Sequence, residues 1–208
     1  MISFVYFDLG GVVIRDFSKT DKWQELKNEL GITSKKDLEF EEFWKKYEPD
    51  LCVGRDVETL KPLIEEKFDL KLPKYYSLLT NGFVNRFRKN LSIWPVVNRV
   101  KKSCPIGLLT NMYPGMLNSI KKHNLLPDVE WDAIIDSSVV ELQKPDLKIF
   151  ELAEQRASVK GQEILFIGNT PGHVKSASEL SWQTFLYDPA DLKNSSQKLL
   201  EFWKTISG

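Results

Sequence analysis

Residues 2–7, ISFVYF, form an unbroken β-branched and aromatic run that stops at Asp8-Leu9-Gly10-Gly11. A strand with one wet face alternates polar and apolar residues, whereas a run apolar throughout reads as a strand covered on both faces, as inside a parallel sheet. Comparable runs recur at 106–109, 133–135, 164–167 and 184–187, and the segments between them carry apolar residues at helical spacing. Strands alternating with helices predict an α/β domain on a Rossmann-like, doubly wound parallel sheet.

The spacing is uneven. About 100 residues separate the first two runs, against roughly 20 to 30 between later ones, so a segment is inserted after the first strand. Its periodicity is helical. Trp23, Leu26 and Leu30 share a face that ends at Gly31; Leu38, Phe43, Trp44 and Tyr47 predict a second helix; Leu60, Leu63, Ile64 and Phe68 a third; Tyr76, Leu79, Phe83 and Phe87 a fourth. The expected organisation is a core domain of residues 1–15 and 89–208 with a small helical cap domain over 16–88. The aromatics at helical spacing are expected to form the interior of that cap.

With 42% hydrophobic and 28% charged residues, the 208-residue chain has the composition of one sizeable globular core. Lys plus Arg (29) balances Asp plus Glu (29), and the basic residues fall in scattered pairs that read as solvated helix faces. Neither nucleic acid nor membrane is an expected partner. Cys52 and Cys104 lack metal-ligand or CxxC spacing, which fits a reducing compartment. Residues 1–14 have no basic leader or small-residue cleavage site, so a cytoplasmic protein is expected.

In open α/β sheets, ligands gather at the carboxyl ends of the strands. Four positions there stand out: Asp8, Thr110-Asn111, Lys144 and Gly168-Asn169. Singly, each has a structural reading, as turn acceptor, helix cap or solvated lysine. Together they place a carboxylate nucleophile, a hydroxyl and amide suited to anionic oxygens, and a neutralising ammonium in one crevice. Transfer of a phosphoryl group to Asp requires that set.

FDLGGVV, LLTN, QKPDLKIFELA and FIGNTPGHVKSA, spread over essentially the whole chain, resemble the four motifs of the haloacid dehalogenase superfamily. The resemblance is to phosphatase branches with a small helical cap, including sugar-phosphate phosphatases of the glucose-1-phosphate type. It implies Asp8, Thr110 and Lys144 as catalytic residues and Gly11, Thr110, Asn111 and Lys144 as the phosphate-binding set. It also implies Mg2+ held by Asp8, Gly10 and Asn169, with the cap selecting the substrate.

Two motifs depart from the pattern. The family usually has a second Asp two residues after the nucleophile, which protonates the leaving oxygen and then activates water. This chain has Gly10 there. The acidic motif reads Gly168-Asn169, without its usual carboxylates, and a neutral amide oxygen is a weaker magnesium ligand. A nearby unmatched acid, such as Asp146 or Asp188, is expected to compensate. His173 stands about where the family has a distal Asp. It reads either as a polar residue early in a helix over 173–180 or as a general base toward water.

The leading expectation is a phosphatase acting on a small phosphorylated metabolite through an Asp8 phosphoenzyme. The alternatives are a binding or regulatory protein that has lost turnover, and a metal-independent haloacid dehalogenase.

Overall fold

The computed structural model describes residues 1–207. Its strands are β1 (Phe4–Phe7), β2 (Ile14–Arg15), β3 (Arg88–Lys89), β4 (Ile106–Thr110), β5 (Ala133–Asp136), β6 (Ile164–Gly168) and β7 (Gln183–Leu186). Five of them form one sheet in the order β5-β4-β1-β6-β7, every neighbouring pair parallel. The fold is therefore the expected α/β, Rossmann-like one. From the central strand β1 the chain builds outward through β4 to β5 on one side and then through β6 to β7 on the other, which puts the topological switch point, the usual ligand crevice, beside β1.

The unbroken apolar runs are explained by two cores. Val5 and Phe7 point into one and Phe4 and Tyr6 into the other, since successive strand residues face opposite ways. Helices α4 (Trp94–Lys101), α5 (Met116–Lys122) and α9 (Leu192–Ile206) supply the first core with Val97, Ile120 and Trp203. Helices α7 (Leu147–Ala157) and α8 (Pro171–Glu179), which follow the single turn α6 (Ser137–Val140), supply the second with Phe150 and Ala177. Val5, Tyr6 and Phe7 are fully buried, each side chain contributing about 2 kcal/mol of hydrophobic stabilisation. Tyr6 keeps its hydroxyl satisfied by donating to the Ala153 carbonyl at 2.9 Å.

Between β2 and β3 lie α1 (Lys22–Leu30), α2 (Asp37–Cys52) and α3 (Leu60–Phe68). The two ends of this insert pair with each other, Ile14 opposite Lys89 and Arg15 opposite Arg88. Helix α1 stops at Gly31, whose φ of 82° suits glycine and lets the next N–H, that of Ile32, turn back to the Lys27 carbonyl. Phe40, Phe43 and Trp44 of α2 are buried against Phe68 and Phe83, so most of the aromatic set is interior as expected. Leu38, expected on the apolar face of the same helix, is not buried: it lies in the first turn of α2 and is 79% exposed.

The fourth expected helix does not form. Leu78–Phe83 makes one wide π-helical turn, Val84–Arg86 a 3₁₀ turn, and Phe87 is extended. The Gly82 N–H reaches back five residues to the Ser77 carbonyl, while the first amides, which no helix pairs internally, are capped: the Glu58 carboxylate accepts from the N–H groups of Leu78 and Leu79 and from Ser77 Oγ, and Asn81 Oδ1 accepts from Ser77 N. Gly82, a poor helix former, follows. The wider winding buries Leu78 and Val84, which the periodicity had left off the apolar face.

Candidate active site

Asp8 follows β1 directly, and its N–H continues the ladder by donating to the Ile167 carbonyl of β6 at 2.8 Å. Its side chain is buried, with Oδ1 accepting from Leu9 N at 2.8 Å and Oδ2 2.6 Å from Lys144 Nζ. The Lys144 side chain is completely buried, and Nζ also donates to the Leu109 carbonyl at 2.7 Å and lies over the Phe166 ring. Burial alone pushes the Asp8 carboxyl up, but the Lys144 ammonium and the neighbouring His173 outweigh it and hold Asp8 below the usual carboxylate range. Burial pulls the Lys144 ammonium down, with Asp8 opposing that effect.

A cavity of about 1010 Å³ opens at this carboxyl edge and is walled on its other side by the insert. Asp8, Gly10, Asn111, Lys144, Asn169 and His173 reach its wall. Thr110 and Gly11 do not. Thr110 ends β4 with its hydroxyl buried and without a hydrogen-bond partner, a cost of roughly 1–3 kcal/mol. Gly11 sits at φ 72°, with the Asn169 amide and Ser18 Oγ packed where a side chain would stand.

Asn111 turns its amide elsewhere than the resemblance implies. Both of its side-chain polar atoms engage the main chain of Lys144, Oδ1 accepting from Lys144 N and Nδ2 donating to Lys144 O. It positions the lysine rather than presenting that amide to an anion. His173, third residue of α8, has Nδ1 3.8 Å from Asp8 Oδ2, beyond hydrogen-bonding distance, and buried without a partner.

Neither acid expected to compensate for the missing carboxylates is at the site. Asp146 caps α7, accepting from Lys148 N, and Asp188 accepts from Ala190 N; both are exposed and absent from the cavity wall. Besides Asp8 and the α2 residues Glu41, Glu42 and Glu48, that wall carries Asp16, which begins the insert immediately after β2. Its Oδ1 accepts from Ser18 N at 2.9 Å, and its carbonyl accepts from Lys22 Nζ at 2.8 Å. Burial raises the Asp16 carboxyl, and the negative charge of Asp8 adds to that. Nothing in the local sequence marks Asp16, because its place depends on the chain doubling back through the β2–β3 ribbon.

The donors suit magnesium only in part. The ion takes one or two carboxylates, substrate phosphate oxygens and water. Asn169 donates Nδ2 to Ser18 Oγ at 3.0 Å, which leaves Oδ1 as an acceptor. Asp8, the Gly10 carbonyl and Asn169 Oδ1 therefore fit an ion completed by substrate. Among the described residues, no group of three His, Cys, Asp or Glu side chains is able to hold one unaided.

A family model, haloacid dehalogenase-like hydrolase, matches residues 2–180. The chain belongs to the haloacid dehalogenase-like hydrolases. A mouse relative, acyl-CoA dehydrogenase family member 10, is 26% identical over 138 residues; that match takes in 65% of this chain and 12% of the mouse protein's length. Among solved structures, a predicted hydrolase of this family from Porphyromonas gingivalis superposes with a TM-score of 0.76 at 22% identity, covering 96% of this chain and 98% of that one. A family enzyme from Bacteroides thetaiotaomicron, in complex with magnesium and inorganic phosphate, gives 0.71 at 16% identity over 91% and 96%. An L-2-haloacid dehalogenase gives 0.65 at 16% over 90% and 84%. At these identities the structural likeness is one of fold.

Proposed function

We propose that this family member is a phosphatase that hydrolyses a small phosphorylated metabolite through an aspartyl-phosphate on Asp8. The observation that carries the reading is the buried Asp8–Lys144 pair, 2.6 Å apart, at the wall of a cavity large enough for such a substrate. Asp8, held anionic, attacks phosphorus. Lys144, its main chain fixed by Asn111, neutralises charge on the transferring group. Asp8, the Gly10 carbonyl and Asn169 Oδ1 would hold magnesium with the substrate, where the ion supplies further neutralisation of the phosphate. The Bacteroides protein of the same fold, bound to magnesium and inorganic phosphate, supports this direction.

Residues 16–88 act in this reading as the cap that covers the site. Trp23, Trp44, Phe17 and Phe83 face the cavity from it, which favours a leaving group with an apolar face. The test is phosphate release from a panel of phosphate monoesters with magnesium, by wild type and by Asp8→Asn. Release that vanishes in the variant supports the proposal; no release from any ester by wild type overturns it.

A second reading has one observation in its favour: Gly10 carries no acid, as suits displacement of halide without metal. Halide release from a 2-chloro acid in the presence of a chelator is its test, and absence of release removes it.

A further inference from the structure

We propose that Asp16 is the proton donor and acceptor of this site, delivered from the start of the insert into the space left by the missing side chain at Gly10. This assignment rests on the phosphatase reading above and gives its second carboxylate a source. A Cβ placed on Gly10 would overlap Asp16 Oδ2 and would lie 3.2 Å from Asp16 Cγ. A side chain on residue 10 and the carboxylate of Asp16 are thus mutually exclusive occupants of one place. Gly10 is not among the glycines held at positive φ, so its backbone does not require glycine; the space above it does.

Asp16 is fixed for the task from three sides. The β2–β3 ribbon sets where its main chain emerges. Lys22 holds its carbonyl, and the Ser18 N–H occupies Oδ1, which leaves Oδ2 over Gly10 at the cavity wall beside Asp8. Ser18 is in turn tied to the end of β6 through Asn169 Nδ2. The turn carrying Asp16 is thereby anchored to the sheet edge that carries the nucleophile.

The chemistry balances as follows. Asp8 forms an O–P bond while the bond from phosphorus to the leaving oxygen breaks, and the Asp16 carboxyl gives its proton to that oxygen. The resulting Asp16 carboxylate takes a proton from water as the water oxygen attacks phosphorus. Cleavage of the bond between phosphorus and Asp8 then releases phosphate, with Asp8 anionic and Asp16 protonated as at the start.

The experiment compares wild type, Asp16→Ala and Gly10→Asp/Asp16→Ala on 4-nitrophenyl phosphate and on an alkyl phosphate, in magnesium buffer, with thermal unfolding recorded for each. The phenolate leaves without a proton, so Asp16→Ala is expected to release about one equivalent of it in a burst and then turn over at least about 100-fold more slowly. On the alkyl phosphate the same variant shows neither burst nor turnover. Removing the Asp16 carboxylate clears the space above Gly10, and the double variant is expected to recover at least about tenfold of the lost rate. Wild-type rates in Asp16→Ala overturn the assignment. So does a loss that Gly10→Asp fails to restore in a double variant that unfolds as wild type does. If wild type hydrolyses neither ester, the phosphatase reading falls and the assignment falls with it, an outcome distinct from the other two.

Discussion

Asn111 grips the main chain of Lys144 with both ends of its amide, accepting the Lys144 N–H at 2.9 Å and donating to its carbonyl at 2.8 Å. The contact joins segments 33 residues apart and sets where the buried ammonium stands. Asn111→Ala is expected to cost about 2 kcal/mol, two hydrogen bonds at about 1 kcal/mol each. It should also lower kcat by about tenfold or more through misplacement of Lys144. Denaturant unfolding and phosphate release measure the two effects; an unchanged kcat in a destabilised variant would reduce Asn111 to a fold-stabilising role.

Asp8→Asn is expected to abolish turnover, a loss of at least about 10³-fold, and to leave the Lys144 ammonium buried without its counter-charge. The stability cost is on the order of 3 kcal/mol. Replacing the partner as well, in Asp8→Asn/Lys144→Met, should return most of that stability while leaving the protein equally inactive. Chemical denaturation of both variants at neutral pH is the check.

Asn169→Asp is expected to tighten magnesium by about tenfold or more, because an anionic oxygen replaces a neutral one. The contact to Ser18 survives with its direction reversed, the serine hydroxyl now donating. A magnesium titration followed by tryptophan fluorescence reads this without turnover, since Trp23 and Trp44 line the cavity. Equal affinity in the two proteins would place the ion away from Asn169.

Glu58→Ala should cost about 2–3 kcal/mol, since three donors from Ser77, Leu78 and Leu79 lose their acceptor together. Proteolysis is expected to open first at Leu78–Phe83. Wild-type resistance there would mean that the packing of Leu78 and Phe83 holds the turn by itself.

Asp132 accepts from Lys101 Nζ at 2.6 Å and from Ile106 N at 2.8 Å, at the start of β4. Burial acts upward on its carboxyl, but these donors prevail and hold it below the usual range. A carboxyl lowered in the folded state adds stability above its unfolded value, about 3.9, that disappears as pH falls through the lower folded value. The Asp132 side chain is 35% exposed, so solvent screening keeps the effect under about 1 kcal/mol. Asp132→Asn should flatten the acid limb of stability against pH by that amount, as thermal unfolding between pH 2 and 6 would show.

The strands and their faces were legible in the sequence because burial leaves a local imprint. Residues 2–7 are apolar throughout since both faces of β1 are covered, and Leu26 and Leu30 recur at helical spacing since one side of α1 is. The fourth helix was misread for the same reason. Periodicity records which residues are apolar, but it does not register the winding, in which the Gly82 N–H reaches back five residues to the Ser77 carbonyl.

The amino-acid order by itself determined the parallel α/β sheet, the helical insert after its first strand, and Asp8 at the carboxyl end of that strand, because each depends on neighbours close along the chain. Only the tertiary structure decided that Asp16 fills the space over Gly10, that the Asn111 amide serves the Lys144 main chain, and that Asp146 and Asp188 stand apart. Those relations depend on where separate segments cross once the cores have packed, and no local pattern of residues carries that information.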